Sequence, residues 1–546
     1  MRSQYFNWFA AWLVLVVAAL IFRPLLAVDE TRYFSVAWEM WQSGGLLVPH
    51  LNGATYSHKP PLLFWLINGL WGLLGVSETL ARTVSPLFGL GSLFLTARLG
   101  RWLWPERNVE KFAPWIVLGS LVFVVAGTLS MFDVLLTFWV LVAISGAVLA
   151  AGPLESTSRN SVRRQLLGWI IFGVGIGLGV LTKGPVVLVF TVPVALLGPV
   201  WIGGGMGRAG YVVWYAGVVA GIAVGAAIAL SWALPAASAG GTAYGNEILW
   251  GQTGSRIVSS VAHARPFWWY GPMFFVLVFP WALSSKLWRQ LRIDVVKEDR
   301  GVRLCLVWVV GALILLSLVS GKQPHYVLPL IPGVALLVAA GARVDEKASR
   351  FGLLPWIVFA GFGLVLFAIF FAKAKIISEF KIASIPDGLG LAVMELGALS
   401  VAIGVSGMWR HGRTPNLDIP NLALATIVLG IGLNVFAGQN IFRLYDVSPT
   451  AMVLATIEEQ GRPIGHVGKY HGQFQFLGRL TNPLEVLAAT DIESWANANP
   501  NGVLVGYHRS LPATVGDTLD RQVFRSRTLV IWEVESAKNN LDYFFR

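Results

Sequence analysis

The sequence predicts a polytopic α-helical membrane protein, with about thirteen crossing helices and a small external α/β domain at its C-terminal end. Composition points there first. Hydrophobic residues make up 55% of the chain and charged residues 13%, and the mean hydropathy is +0.65, whereas soluble domains carry about a quarter charged residues. Apolar runs long enough to cross a bilayer recur between residues 9 and 438, and Lys and Arg collect in alternate connections, as cytoplasmic loops require.

The uncharged run 9–22 opens the series, continues into Arg23-Pro24-Leu25-Leu26, and is preceded by Trp8 where an interfacial aromatic anchors a first helix. Further apolar segments span 79–100, 112–130, 134–151, 166–182, 184–201, 210–235, 266–284, 304–320, 327–341, 352–371, 389–408 and 420–438. With the N-terminus inside, the cytoplasmic loops hold Arg98, Arg101, Arg107 and Lys111, then Arg159, Arg163 and Arg164. Later ones hold Lys286, Arg289, Arg292, Lys297, Arg300 and Arg303, then Arg343, Lys347 and Arg350, and last Arg410 and Arg413. The alternation accounts for most of the net charge of +12 as topology, so no nucleic-acid partner is expected. An odd number of crossings leaves the tail outside.

Segment 60–75 is apolar but short for a crossing. If it crossed, every later basic loop would change side, so it reads as a surface helix with Trp65 and Trp71 at headgroup depth. A second surface helix is expected over 32–41, both within a large first external loop, residues 27–78. No small-residue cleavage site follows the first apolar run, which therefore reads as a membrane helix and not as a signal peptide. A single cysteine, Cys305, excludes an intramolecular disulfide and gives no support for a cysteine metal site.

After Gln439 the apolar stretches shorten to strand length at 463–467, 502–507 and 528–534, separated by Gly, Pro and Asn turns, with helical periodicity over 449–459 and 492–497. The chain divides on this reading into a membrane domain, 1–439, and an external α/β domain with a mixed or antiparallel sheet, 440–546.

Chemistry concentrates on the external side. Asp29-Glu30-Thr31-Arg32-Tyr33 follows the first hydrophobic segment at a membrane boundary, where charge is costly unless it pairs or reacts. Adjacent on a helix, Asp29 and Glu30 diverge by about 100° and do not form a facing pair. Asp29 can serve as a helix N-cap, or it can face a cavity in company with Arg32, Tyr33, His50, Tyr56, His58 and Lys59 of the same loop. Asp133, between two apolar runs, presents the same choice in the next external turn. Lys183 lies in Leu181-Thr182-Lys183-Gly184-Pro185, either snorkelling to the interface or presented to a ligand by the Gly-Pro break. Gln252, Arg256, His263 and Arg265 precede the aromatic run Phe267-Trp268-Trp269-Tyr270, and Lys322, His325 and Tyr326 precede a later helix. Arg32, Lys59, Lys183, Arg256 and Lys322 thus stand on the side that the positive-inside rule disfavours. Ion pairing with nearby acids is one explanation. An anionic ligand is the other: a phosphate held by Lys and Arg, with hydrogen bonds from Tyr33, Tyr56 and Tyr326, and a lipid tail between helices. An acid activating an acceptor beside cations that hold a leaving phosphate would transfer a group from a lipid-linked donor.

The motifs resemble those of the ArnT-like and protein O-mannosyltransferase-like membrane glycosyltransferases of the GT-C superfamily. They are Asp29-Glu30-Thr31-Arg32-Tyr33, Gly45 with Val48-Pro49-His50, and Tyr56-Ser57-His58-Lys59-Pro60-Pro61. Leu181-Thr182-Lys183-Gly184-Pro185, His263-Ala264-Arg265-Pro266-Phe267-Trp268-Trp269-Tyr270 and Gly321-Lys322 through His325-Tyr326-Val327-Leu328-Pro329 follow in family order, so that the resemblance covers roughly residues 8–340. The chain resembles the lipid A aminoarabinose transferases among them, and they are similar too in having about thirteen helices and a small external C-terminal domain.

The resemblance implies inverting transfer of a sugar from a polyprenyl-phosphate donor to a periplasmic or outer-leaflet acceptor, such as lipid A, another glycolipid, a glycan or a protein. It implies a multi-pass protein of the bacterial inner membrane, monomeric, with a cytoplasmic N-terminus and a periplasmic C-terminal domain. By the same resemblance Asp29 corresponds to the catalytic base and Asp133 to an acid of the same cavity. Tyr56, Lys59, Arg256 and Tyr326 correspond to ligands of the donor phosphate, and Lys183 to the cavity edge; Arg32, Tyr33, His58 and Lys322 complete the candidate site.

One departure bears on metal binding. Where the aminoarabinose transferases carry Glu before the Lys-Pro pair this chain has His58, and where they carry Glu-His ahead of the arginine it has Gln252-Thr253. Without those ligands no metal or other cofactor is expected. Two readings from other classes stand beside the enzyme. A secondary transporter of an anionic lipid or solute would also place charges near broken helices, but no internal repeat accompanies them. A C-terminal binding module on a membrane anchor would need far fewer helices.

Overall fold

The computed structural model describes residues 2–152, 159–203, 207–251, 264–342, 350–379, 387–411, 418–509, 511–512, 515 and 518–544. The chain forms two compact units: Met1–Leu20, Ser57–Leu63 and Glu78–Phe436 make one, and Ile21–Tyr56, Phe64–Ser77 and Ala437–Arg546 the other.

The first unit is helical. Among the described residues, eight helices are long and apolar enough to cross a membrane: Glu78–Leu103, Phe132–Ala150, Asn160–Lys183, Arg208–Ala239, Arg300–Leu318, Leu354–Ala372, Leu389–Arg410 and Asp418–Ala437. Shorter apolar helices cover Asn7–Phe22, Val187–Leu196, Phe267–Leu277 and Pro324–Ala340, and a further one, Leu62–Leu74, falls for the most part in the second unit. The eight long helices are fewer than the thirteen expected because several of the apolar runs are broken. Run 112–130 splits into Val109–Leu118 and Leu121–Ala126 around Gly119-Ser120. Run 184–201 splits into Val187–Leu196 and Gly198–Ile202, four residues past Pro193, and run 266–284 stops before Pro280 and resumes as a single turn at Trp281–Leu283. Proline removes an amide donor and crowds the preceding turn, so a run of unbroken hydropathy need not be one helix.

Packing of the unbroken helices fixes the site. Phe132–Ala150 and Arg159–Lys183 run antiparallel and close together. A Cβ on Gly146 would lie 2.4 Å from the Phe172 amide nitrogen, and one on Gly168 2.5 Å from that of Ala150, so the glycines let the two backbones meet. Asp133 at the start of one helix and Lys183 at the end of the other thereby come to the same level. Elsewhere apolar side chains remain uncovered by protein, as on Leu354–Ala372, where only 17% of the apolar window is buried; hydrocarbon is their expected solvent.

The second unit is α/β. Its Asp29–Ser43 helix ends on Gly44 at φ +66°, a left-handed C-cap. A hairpin follows, β1 (His50–Leu51) and β2 (Ala54–Thr55), turning through Asn52 and Gly53, both at positive φ. The Asn52 side chain accepts from the Leu484 amide at 2.8 Å and donates to the Leu484 carbonyl at 2.9 Å. The sheet comprises β3 (Ile464–Val467), β4 (Glu485–Leu487), β5 (Val503–His508), β6 (Thr518–Phe524) and β7 (Arg527–Glu533), in the order β4-β3-β5-β7-β6. β3 is parallel to both β4 and β5, and β7 is antiparallel to β5 and β6, so the sheet is mixed. Alternation sends Val503, Val505, Leu529 and Ile531 to a core shared with Ala451, Leu454 and Ile457 of the Ser448–Glu459 helix. Leu504, Val530 and Trp532 face the opposite core, with Ile492 and Trp495 of the Ile492–Ala498 helix. Both faces being covered, β5 and β7 read as continuous apolar runs.

Candidate active site

In the helical unit, Asp133 occupies the first turn of Phe132–Ala150 with 2% exposure. Lys183 Nζ lies 2.5 Å from its Oδ1, and His325 Nε2 lies 3.8 Å from its Oδ2. The same ammonium stands 4.2 Å from the centroid of the Tyr326 ring, and His325 meets that ring edge-to-face at 4.9 Å. Lys59 stands 5.7 Å above the Phe132 ring and also acts electrostatically on Asp133. One buried carboxylate therefore faces Lys59, Lys183 and His325, with a phenol beside them. The Asp133 side chain is not in use as a helix cap: the N-cap position is Met131, which makes no side-chain cap bond either.

Lys322, 3% exposed, is spent differently. Its ammonium donates to the Arg265 carbonyl at 3.1 Å and to the Val319 carbonyl at 2.5 Å, where Arg265 and Ser320 are themselves joined by a 3.1 Å backbone bond. These contacts fasten the strand-like segment at Ala264 to Gly321. Tyr270 donates to the Gln323 carbonyl at 3.2 Å and fixes the turn that presents His325 and Tyr326. Gln252, Arg256 and His263 lie outside the described residues. The cavity of about 660 Å3 lined by Trp104, Arg107, Arg289 and Arg300 contains none of the candidate site residues.

The second unit holds Asp29, Arg32, Tyr33 and Tyr56. Asp29 opens its helix 62% exposed and pairs with Arg32 one turn on, while Val28 is the N-cap residue and makes no side-chain cap bond. Glu30, next in sequence, is 3% exposed; it accepts from the Leu26 amide at 3.1 Å and lies 3.8 Å from Arg23. The adjacent acids thus divide, one holding the chain bend and one facing solvent. Tyr33 is buried beside Arg32, whose guanidinium lies 5.9 Å from the ring centroid. Tyr56 is 5% exposed and packs edge-to-face on Phe64 at 6.2 Å. His58, in the helical unit, is exposed.

His471 is a neighbour that motif reading did not single out. Ser35 donates to the Gly472 carbonyl at 2.5 Å and accepts from the Phe476 amide at 3.2 Å, which lays the loop carrying His471 along the Asp29–Ser43 helix. Burial holds its imidazole below the usual histidine range, Arg32 and Lys469 push the same way, and Asp29 opposes them. No spacing in the sequence links residue 471 to residue 29; the contacts of Ser35 bring the loop to the helix.

Comparison with known proteins shows what the chain is similar to. Residues 4–239 match the family model described as dolichyl-phosphate-mannose-protein mannosyltransferase. The chain is 32% identical over 383 residues to the undecaprenyl phosphate-alpha-4-amino-4-deoxy-L-arabinose arabinosyl transferase of Pectobacterium carotovorum subsp. carotovorum, a match covering 65% of this chain and 63% of that one. The enzyme of the same description from Aeromonas salmonicida is 28% identical over 433 residues, covering 75% and 73%. The chain thus spans 63% of the length of the first of these relatives. Among solved structures, ArnT from Cupriavidus metallidurans in the apo state superposes with a TM-score of 0.77 at 17% identity, over 97% of this chain and 98% of that one. The same protein bound to undecaprenyl phosphate gives a TM-score of 0.75 at 18% identity with equal coverage. At such identities the likeness is one of fold.

Proposed function

We propose that this chain, an ArnT-like member of the GT-C superfamily, is an inverting glycosyltransferase that moves a sugar from a polyprenyl-phosphate donor to a periplasmic or outer-leaflet acceptor. The acceptor is lipid A, another glycolipid, a glycan or a protein. The observation that carries the reading is the convergence of Lys59, Lys183 and Tyr326 around the buried Asp133, at one end of the helical unit. Lys59 and Lys183 share the single carboxylate of Asp133 at a membrane boundary, where charge is costly, and a lipid phosphate would add a second anion while its tail stays among apolar helices.

The chemistry follows from roles. Asp29, exposed and acidic, takes the proton from the acceptor hydroxyl as that oxygen attacks the anomeric carbon. The bond from that carbon to the phosphate oxygen breaks on the opposite side, inverting the centre, and the lipid phosphate leaves with the electron pair. Lys59 and Arg256, with Tyr56 and Tyr326, hold the departing oxygens, and Lys183 stands at the cavity edge; charge-assisted hydrogen bonds of this kind are roughly twice as strong as neutral ones. Asp133 keeps Lys183 in place against the repulsion of its cationic neighbours. Arg32 orients Asp29, and Tyr33, His58 and Lys322 are the remaining candidates for contact with the donor.

The reading includes about thirteen crossings, the short and broken apolar helices completing the eight long ones, with the N-terminus cytoplasmic and residues 440–546 periplasmic in a bacterial inner membrane. The protein works as a monomer on a membrane-borne donor and requires no metal. Purified chain supplied with a polyprenyl-phosphate sugar and an outer-envelope lipid extract should release polyprenyl phosphate, and Asp29→Asn should lower kcat by about 10²–10⁴ while donor affinity holds. Turnover by Asp29→Asn at the rate of the unmodified chain would remove Asp29 from the base role.

A further inference from the structure

The second unit contains a cavity of about 410 Å3 lined by Lys469, Arg509 and Arg527, with Tyr507 and Phe544 among its walls. Sheet topology explains its position. β3 and β5 run parallel as neighbours, and Val467-Gly468-Lys469 and Arg509 leave their carboxyl ends together. Ligands of open α/β sheets bind outside the carboxyl ends of parallel strands. Gly468, at φ +83°, makes the turn that releases Lys469 from β3. β7 runs antiparallel to β5, and the pairing of His508 with Thr528 delivers Arg527 to the same edge.

Three cations from three strand ends therefore share one cleft, and no carboxylate is among its described lining residues. Mutual repulsion opposes that arrangement in the absence of an anion. Guanidinium forks and an ammonium together match phosphate oxygens in geometry and charge. The aromatic walls pack against the sheet. Phe544 packs edge-to-face on His508 at 4.9 Å and tilts against Trp532 at 5.7 Å, and Tyr507 accepts a 2.7 Å hydrogen bond from Gln473. An aromatic wall beside a cationic one suits a ligand with an apolar ring face and an anionic substituent, and the volume lies in the range of small-molecule sites, about 300–1,000 Å3. The cleft is joined in chain to the candidate base's helix: Lys469 stands two residues before His471, in the loop that Ser35 fastens along Asp29–Ser43 through Gly472 and Phe476.

We propose that this cleft is a binding site for a phosphorylated saccharide, and that it docks the anionic end of the acceptor; the docking role rests on the reading of Asp29 as base, the binding role does not. The acceptor's phosphate lies among Lys469, Arg509 and Arg527, its ring lies along Phe544, and its free hydroxyl extends toward Asp29. No covalent step takes place in the cleft.

The test uses the full chain in detergent and the double variant Arg509→Glu/Arg527→Glu, both positions being exposed. Calorimetric titration with a hexose 1-phosphate, the unphosphorylated hexose and inorganic phosphate reads binding without turnover. The unmodified chain should bind the hexose 1-phosphate at least about tenfold more tightly than either fragment, and the double variant should lose about tenfold or more. A phosphoglycolipid in nanodiscs, titrated alongside, distinguishes a membrane-borne source of the same headgroup from a free one, and tighter binding of either supports the site. Equal affinity for inorganic phosphate would overturn the saccharide assignment, and unchanged affinity in the double variant would overturn the site. In transfer assays the double variant should raise the acceptor KM with kcat and donor affinity unaltered; an unaltered acceptor KM rules out docking. Activity retained by Asp29→Asn would instead defeat the transfer mechanism and leave the calorimetric result intact.

Discussion

Replacing Asp133 by Asn keeps the shape of the side chain and removes its charge, which separates what the Asp133–Lys183 pair does for the fold from what it does for the reaction. Lys183 is 11% exposed and its ammonium lies 2.5 Å from Oδ1; His325, 3.8 Å from Oδ2, is 26% exposed. Removing one member of a buried ion pair costs about 3–5 kcal/mol, since the other charge stays in a poor dielectric. The partial exposure of Lys183 and His325 lets water compensate, which puts Asp133→Asn at the low end, about 3 kcal/mol. Adding Lys183→Met removes both charges together. Replacement of a whole buried pair by apolar groups is close to neutral, so the double variant should recover to within about 1 kcal/mol of the unmodified chain, far less than the sum of the two single losses. Transfer activity should not recover with it, because the cation proposed for the edge of the donor cavity is gone. Unfolding in mixed detergent, followed by tryptophan fluorescence, gives the stability of each variant, and release of polyprenyl phosphate gives the activity. A stable Asp133→Asn chain would refute the buried-pair argument, and a double variant as unstable as the summed singles would refute the coupling. A double variant that regained transfer would show the pair to be structural alone.

Donor binding should weaken by roughly ten- to a hundredfold in Lys59→Ala and in Arg256→Ala, and by less in Tyr326→Phe, because a bond to a charged group contributes about 1.5–3 kcal/mol and a neutral one about 1; binding of a polyprenyl-phosphate sugar measures it, and unchanged affinity in both cation variants rules out the phosphate site. Stability of the second unit should fall on acidification, because burial holds His466 down at about 4. Between about pH 6.5 and 4 the unfolded chain binds the proton that the folded imidazole refuses, so stability present above that window is lost as pH falls through it, by up to about 3 kcal/mol. A His466→Gln chain should show a shallower pH dependence of unfolding, and an identical slope would refute the linkage. Single cysteines in a Cys305→Ser background should react with an impermeant thiol reagent from outside at positions 59, 252 and 440 and not at 289; external labelling at 289 would overturn the topology.

Hydropathy and charge alternation made the membrane class legible, because both are additive along the chain and need no tertiary information. They did not make helix continuity legible. Run 112–130 scores as one apolar segment, yet Gly119-Ser120 divides it, and the consequence of Pro193 within 184–201 depends on what its neighbours can do for the freed carbonyls. The edge strands were missed for a different reason. β4 has two exposed residues of three, and β6 carries Asp520, Arg521 and Gln522, so neither has the apolar run that marks a covered strand. The Asn52-Gly53 turn, by contrast, was available to inspection, since that pair is the strongest short signal of a two-residue hairpin.

Site residues divide along the same line. Asp133 and Lys183 each stood out as a charge at an apolar boundary, but the contact between them exists only because Gly146 and Gly168 bring two antiparallel helices together, with one charge at the start of the first and the other at the end of the second. His325 came into view as part of a motif, and its approach to Asp133 needs the turn that Tyr270 fixes through Gln323. Adjacency on a helix separates Asp29 from Glu30 in the sequence already; the structure adds that the Leu26 amide and Arg23 claim Glu30 while Asp29 stays exposed. The cationic cleft lies furthest from sequence inspection. Lys469, Arg509 and Arg527 are ordinary surface residues in the chain order, each beside a turn, and strand register alone assembles them. Motifs report residues that chemistry constrains in place along the chain, whereas a site built from strand ends is constrained through the sheet, and its signature is a charge count that only the register can add up.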